Sequence, residues 1–194
     1  DTNAFYSADD PNNLSPVAKS FMAGLLRHAA EITAVTNQTV NSYKRLVPGF
    51  EAPVHISWAR NNRSGLIRVP IPKRGSVSAT RIEYRSPDPA CNPYLAFSVI
   101  LAAGMKGIRE GYELEPEADA NLFEMDDAAL DKLGIRQLPQ SLNDALKVME
   151  TSELVQEALG EHIFEWFLRN KRHEWREYKT QVTPFELNRY LKSL

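Results

Sequence analysis

Val54-His55-Ile56-Ser57-Trp58-Ala59 opens a series of three strand-like segments that sets the fold class. Val54, Ile56 and Trp58 alternate with His55, Ser57 and Ala59, the period of two that sends successive side chains to opposite faces of a sheet. Leu66 to Ile71 gives a second strand and Thr80 to Ser86 a third, where Ile82 and Tyr84 face one way and Arg81, Glu83 and Arg85 the other. Upstream, Ser15 reads as an N-cap with Pro16 at the first helical position, opening a helix to about Thr36. Val17, Phe21, Leu25 and Ile32 keep helical spacing and predict one buried face. Thr36 to Pro53 is rich in turn formers and ends in the loop Pro48-Gly49-Phe50-Glu51-Ala52-Pro53. Downstream, Asp88-Pro89 breaks the third strand and Asn92-Pro93 caps an apolar helix to about Glu110. Leu114 to Asp131 reads only as a polar linker. The acidic last third is mostly helical, with one start at Ser141/Asp144 and a capping box at Thr183-Pro184-Phe185-Glu186. Helix, then strands, then helices is the order of an α+β fold.

At 194 residues, 43% hydrophobic and 25% charged, the chain suits one soluble globular domain and excludes a disordered one. One cysteine, Cys91, precludes an internal disulfide and fits a reducing compartment. The longest apolar run, Tyr94 to Met105, is too short to span a bilayer. The chain begins Asp1-Thr2-Asn3, with neither methionine nor a signal-peptide pattern, and is expected to be a cut piece of a longer protein. No G-x-x-x-x-G-K-[ST] loop, G-x-G-x-x-G turn or G-x-S-x-G elbow occurs, and the four histidines lack zinc-ligand spacing. The aromatics Phe164, Trp166, Phe167, Trp175 and Tyr178 read as core or interface anchors rather than a base-stacking platform.

Net charge is −2, but it is unevenly placed. Lys44 to Arg85 holds nine basic residues against Glu51 and Glu83, or +7, leaving −9 for the remainder. A concentrated stretch rich in arginine implies an anionic partner. If its charged positions converge, several guanidinium groups could clamp phosphates and neutralise charge during phosphoryl transfer. Glu83, between Arg81 and Arg85, could be a hard oxygen ligand for Mg2+ or Mn2+. Glu51, on a loop framed by glycine and prolines, could be an acid that closes over a site. Scattered salt bridges and a water-facing edge strand would account for the same residues.

Asn41-Ser42-Tyr43-Lys44-Arg45-Leu46-Val47-Pro48-Gly49-Phe50-Glu51-Ala52-Pro53 resembles a signature of the class I glutamine synthetases. Asn62-Arg63-Ser64, Ile67-Arg68-Val69-Pro70, Arg81-Ile82-Glu83-Tyr84-Arg85 and Asp88-Pro89-Ala90-Cys91-Asn92-Pro93-Tyr94-Leu95 follow at family spacing. The resemblance implies an α+β fold in which an antiparallel sheet segment is flanked by helices, the C-terminal half of that catalytic domain over residues 1–194. It implies ATP-dependent ligation of ammonia to L-glutamate through a γ-glutamyl phosphate, with ATP as substrate and Mg2+ or Mn2+ as cofactor. Arg45, Glu51, Arg63 and Arg85 would bind glutamate, and Arg63, Arg68 and Arg81 would bind ATP. Glu83 would hold the metal. Glu51 and Arg63 would be catalytic, Glu51 by shielding the acyl phosphate from water and helping to accept the ammonium proton.

The resemblance further implies a cytoplasmic enzyme assembled as a dodecamer of two hexameric rings, with no nucleic-acid or membrane partner. Thr183 to Leu194 would be the helix that enters the opposite ring. Without the family's N-terminal β-grasp domain and the first half of its catalytic domain, the chain is expected to be inactive by itself. Asn121-Leu122-Phe123 stands where some relatives carry an adenylylated tyrosine, and Phe123 has no hydroxyl to modify. Two rival readings are a γ-glutamyl ligase for another amine, such as a polyamine, and a non-catalytic anion-binding or oligomerisation module.

Overall fold

Ser15 and Asn92 open the two longest apolar helices, and the packing of those helices sets the frame on which everything else is mounted. A computed structural model describes residues 3–47, 52–60, 64–71, 77–118 and 122–191. The N-caps act as the sequence predicts. Ser15 Oγ accepts from Ala18 N at 3.1 Å at the head of α1 (Pro16–Thr36). The Asn92 side chain accepts from Tyr94 N and Leu95 N at the head of α3 (Pro93–Glu110). Between them lies the short helix α2 (Ser42–Arg45). The buried stripe of α1 runs through Ala18, Met22, Leu25, Ala29 and Ile32, rather than from Val17, which is exposed. Where α1 meets α3 the residues are small, with Ser20 and Gly24 set against Gly107. A Cβ on Gly107 would fall 2.1 Å from Ser20 O and 2.7 Å from Gly24 Cα, so the helices meet backbone to backbone.

β1 (His55–Ala59), β2 (Gly65–Arg68) and β3 (Glu83–Tyr84) form one sheet in the order β1-β2-β3. β2 and β3 are antiparallel, pairing Ile67 with Tyr84 and Arg68 with Glu83. β1 and β2 are parallel, pairing His55 with Gly65 and Ala59 with Arg68. The sheet is therefore mixed, not antiparallel throughout. Parallel neighbours usually need a crossover of about a dozen residues. Here only residues 60–64 separate the two strands in sequence, and both strands are short. The third strand also contracts from the predicted Thr80–Ser86 to Glu83–Tyr84, which pair with Arg68 and Ile67, before Arg85 N adds one last bond to Leu66 O.

β1 is buried along its whole length, on both faces of the sheet. Residues 136–138 run beside its outer edge, with Ile56 N donating to Arg136 O and Leu138 N to Val54 O, both at 2.8 Å. On the same strand, Trp58 Nε1 donates to Glu115 O at 2.7 Å and Ala118 N to Trp58 O at 3.0 Å. Leu114 to Asp131 is thus not simply a polar linker: its first residues cover the sheet, and α4 (Asp127–Lys132) starts within it under an Asp126 cap.

The last third is helical as predicted: α5 (Leu142–Glu150), α6 (Glu153–Leu159), α7 (Glu161–Lys179) and α8 (Pro184–Tyr190). α5 packs on α1, α6 on α3, and α7 on both α5 and α6. Leu142, Leu146, Met149, Val155, Phe164 and Leu168 extend the core made by α1 and the sheet. A partly buried tie joins these layers: Glu31 accepts from Ser152, the N-cap of α6, and faces His28 Nδ1 at 2.8 Å. Burial pushes the Glu31 carboxyl up, but the His28 and Ser152 hydrogen bonds, with His28 and Lys106 charge, leave it below its ordinary range. Among the described residues, no helix is long and apolar enough to cross a membrane.

Candidate active site

The β2–β3 pairing places Arg68 directly opposite Glu83, and antiparallel partners project to the same side of the sheet. Arg68 closes on Glu83 as a fork, Nε to Oε2 at 2.8 Å and Nη2 to Oε1 at 3.0 Å. Arg81, two residues before Glu83, adds Nη2 to Oε1 at 3.3 Å and also donates to Ala79 O. Ile82 and Tyr84 pack against the core, as their alternation with these charges predicts. The Arg68 hydrogen bonds hold the Glu83 carboxyl below its ordinary value of 4.5; partial burial pushes it up but is outweighed when the Arg68 and Arg81 charges are added. On the core side, burial pushes the Tyr84 hydroxyl up to about 12.

Arg45 reaches the same strand from α2. Its Nη1 donates to Ser86 O at 2.8 Å and Pro87 O at 3.4 Å, and its Nη2 to Arg85 O at 3.2 Å. Arg85 continues the β2–β3 ladder through its own N–H to Leu66 O at 3.0 Å, and its Nη1 donates to Gly65 O at 3.2 Å. Three of the five N–H donors of Arg45 are therefore committed to main-chain carbonyls. Its Nε–H and one Nη2–H remain for an anion.

The structure thus gathers Arg68, Arg81 and Glu83 into one ionic cluster and ties Arg45 and Arg85 to the strand that carries it. Arg63 and Glu51 lie outside the described residues, as do Lys73, Arg74 and Asn121 and the side chain of Phe123. Lys44 points elsewhere, its Nζ 5.9 Å from the Tyr178 ring centre. As a cation site the cluster is incomplete: among the described residues no three His, Cys, Asp or Glu side chains come together. Glu83 fits as one hard oxygen ligand, because its carboxylate is ionised and half-exposed, and it would exchange guanidinium for cation.

Sequence reading missed the residues that hold the exit of β3 from behind. Asn37, just past the end of α1, donates from Nδ2 to Ser86 O at 2.8 Å, and Asp88 N donates to Thr36 O at 2.9 Å. An asparagine after a helix is a recognisable stop signal, but nothing local names a partner 49 residues away. Arg60 was counted only as charge; its Nε pairs with Glu117 Oε2 at 2.8 Å, outside the cluster.

The glutamine synthetase from Mycolicibacterium smegmatis is 59% identical over 191 residues, covering 98% of this chain and 43% of the relative. That from Methanosarcina mazei is 52% identical over 192 residues, covering 99% of this chain and 42% of the relative. The chain therefore spans less than half the length of these curated relatives. Among solved structures, GmaS without ligand superposes with a TM-score of 0.81 at 38% identity, covering 97% of this chain and 41% of that one. GmaS in complex with ADP gives 0.83 at the same identity, over 98% and 43%. A family model described as the glutamine synthetase catalytic domain matches residues 1–190, and the chain belongs to the glutamine synthetase family.

Proposed function

We propose that the whole protein is a glutamate–ammonia ligase and that this chain is the C-terminal part of its catalytic domain. The observation that carries the reading is the convergence of Arg68 and Arg81 on Glu83, on the strand whose exit Arg45 grips. In the first step the γ-carboxylate oxygen of glutamate attacks the γ-phosphorus of ATP and ADP leaves. Ammonia nitrogen then attacks the acyl carbon, phosphate leaves, and the ammonium proton passes to a base. Arg68 and Arg81, with Arg63, hold the ATP phosphates, where fixed positive charge stabilises the transferring group. Arg45 and Arg85, with Arg63 and Glu51, hold glutamate. Two N–H groups left on an otherwise anchored Arg45 suit a bidentate grip on a carboxylate. Glu51 closes the site and takes the proton, which an anionic carboxylate can do once water is excluded. Glu83 is one ligand for Mg2+ or Mn2+, a cation that would neutralise phosphate charge when bound. The remaining ligands lie beyond this chain, which is inactive alone.

A second reading, ligation of another amine, gains support from the two GmaS structures, GmaS being a γ-glutamylmethylamide synthetase. Relatives named glutamine synthetase at 49–59% identity favour ammonia. Full-length enzyme given ATP, glutamate and either ammonia or a panel of organic amines should release phosphate fastest with ammonia. Preference for methylamine or a polyamine would transfer the reading to the second ligase class. The protein is proposed to work in the cytoplasm as a two-ringed dodecamer; the exposed apolar side chains of the α8 region support a contact between subunits and nothing finer.

A further inference from the structure

We propose that Asn37 is a positioning residue for the amino-acid substrate, acting through the main chain of Arg85–Pro87 and the guanidinium of Arg45. The inference rests on the ligase reading above and adds to it a residue that touches neither substrate nor nucleotide. Asn37 is fully buried at the end of α1, and its amide is oriented by its neighbour: Thr36 Oγ1 donates to Asn37 Oδ1 at 2.9 Å. With the oxygen occupied, Nδ2 faces Ser86 O at 2.8 Å. The same carbonyl accepts Arg45 Nη1 at 2.8 Å, so its two lone-pair directions are both filled. Asp88 N to Thr36 O, at 2.9 Å, closes the clamp two residues later.

The physical consequence is directional. Arg45 stands on a four-residue helix and is located chiefly by the carbonyls it grips, those of Arg85, Ser86 and Pro87. If Ser86 O is free to rotate, the Arg45 fork turns with it, and the two N–H groups left for a carboxylate lose their aim. The Arg68–Glu83 pair depends instead on the β2–β3 ladder, which Asn37 does not touch. Loss of the Asn37 bond should therefore weaken glutamate binding and leave nucleotide binding intact. A buried amide that merely filled space would show no such split.

Full-length enzyme carrying Thr36→Val, which removes the orienting hydroxyl at nearly constant volume, tests this without opening a cavity. Expected is a rise in KM for glutamate of roughly tenfold, the scale of one lost bond to a positioned group, with KM for ATP unchanged. Thr36→Ser, which restores the hydroxyl, should return the wild-type value. Calorimetric titration of ATP with Mg2+ should give one affinity for all three proteins. Asn37→Ala should reproduce the split more strongly if it folds; Thr36→Val decides the matter if it does not. Unchanged glutamate KM in Thr36→Val, or equal losses for glutamate and ATP, would overturn the proposal. Wild-type enzyme without glutamate-dependent ADP release would instead overturn the ligase reading itself.

Discussion

Glu83 is held by an arginine fork that the proposed cation would have to displace, since the carboxylate cannot satisfy both with the same lone pairs. The fork is closed in this structure, and its effect on Glu83 is to favour the ionised form. The linkage has a definite sign: a carboxyl depressed in the folded state stabilises the fold above its unfolded value of about 4.5, and that contribution disappears as pH falls through the lower folded value. Glu83→Gln should accordingly show a lower urea midpoint than wild type at pH 7, and the gap should close between pH 4.5 and more acidic solution. The gap should be small, since the pair is half-exposed and screened by salt. A gap that persists at acid pH would mean that the side chain matters through packing. Arg81, Glu83 and Arg85 were legible as one charged face because period two is a local property. The partners of Arg45 were not, because they are carbonyls about 40 residues away and carbonyls carry no sequence signal.

Among elements, α1 and α3 make the most extensive contact between described elements, and α1 also packs on β1 and β2. Two glycines at closest approach let the helix backbones touch, at some cost in helix propensity, about 1 kcal/mol each relative to alanine. At Gly107 that gain from alanine is overwhelmed, because its Cβ would meet the backbone of Ser20 and Gly24, which cannot move without separating the helices. Gly107→Ala should lower stability by about 3 kcal/mol, read as a drop in thermal midpoint. At Gly104 the obstacle is the Phe21 ring, a side chain at the half-buried margin of the core, so Gly104→Ala should cost less. The reverse order would show that the helices can separate freely. Helix ends were legible to the residue at Ser15, Asn92, Ser141 and Thr183, since a cap is a bond between near neighbours. The double-sided burial of β1 was not, because the segments that cover it arrive from Glu115–Ala118 and Arg136–Leu138.

At the scale of the whole molecule, the described residues leave apolar surface uncovered on α3 and around α8, among other places. Tyr94, Phe97 and Leu101 line an exposed face of α3, and Val182, Phe185, Leu187, Tyr190 and Leu191 are exposed in and around α8. α8 buries none of its residues against this chain, yet its capping box is complete, with Thr183 and Glu186 bonded to each other's main chain. A helix so well started and so little packed is expected to find its contacts in another subunit. Deleting residues 184–194 from the full-length protein should leave the core folded and, in the proposed two-ringed assembly, separate the rings, seen as half the sedimenting mass. Intact dodecamers after the deletion would place the contact elsewhere.

By itself the sequence determined the caps, the two long helices, the alternation at β3, the concentration of arginine and the family, all of which depend on residues close together or on their order. Only tertiary structure decided that β1 runs parallel to β2, that Arg68 rather than a neighbour in sequence closes on Glu83, and that Asn37 and Arg45 share one carbonyl. These are contacts between backbone groups and side chains far apart along the chain, and their geometry follows from how the helices and sheet pack.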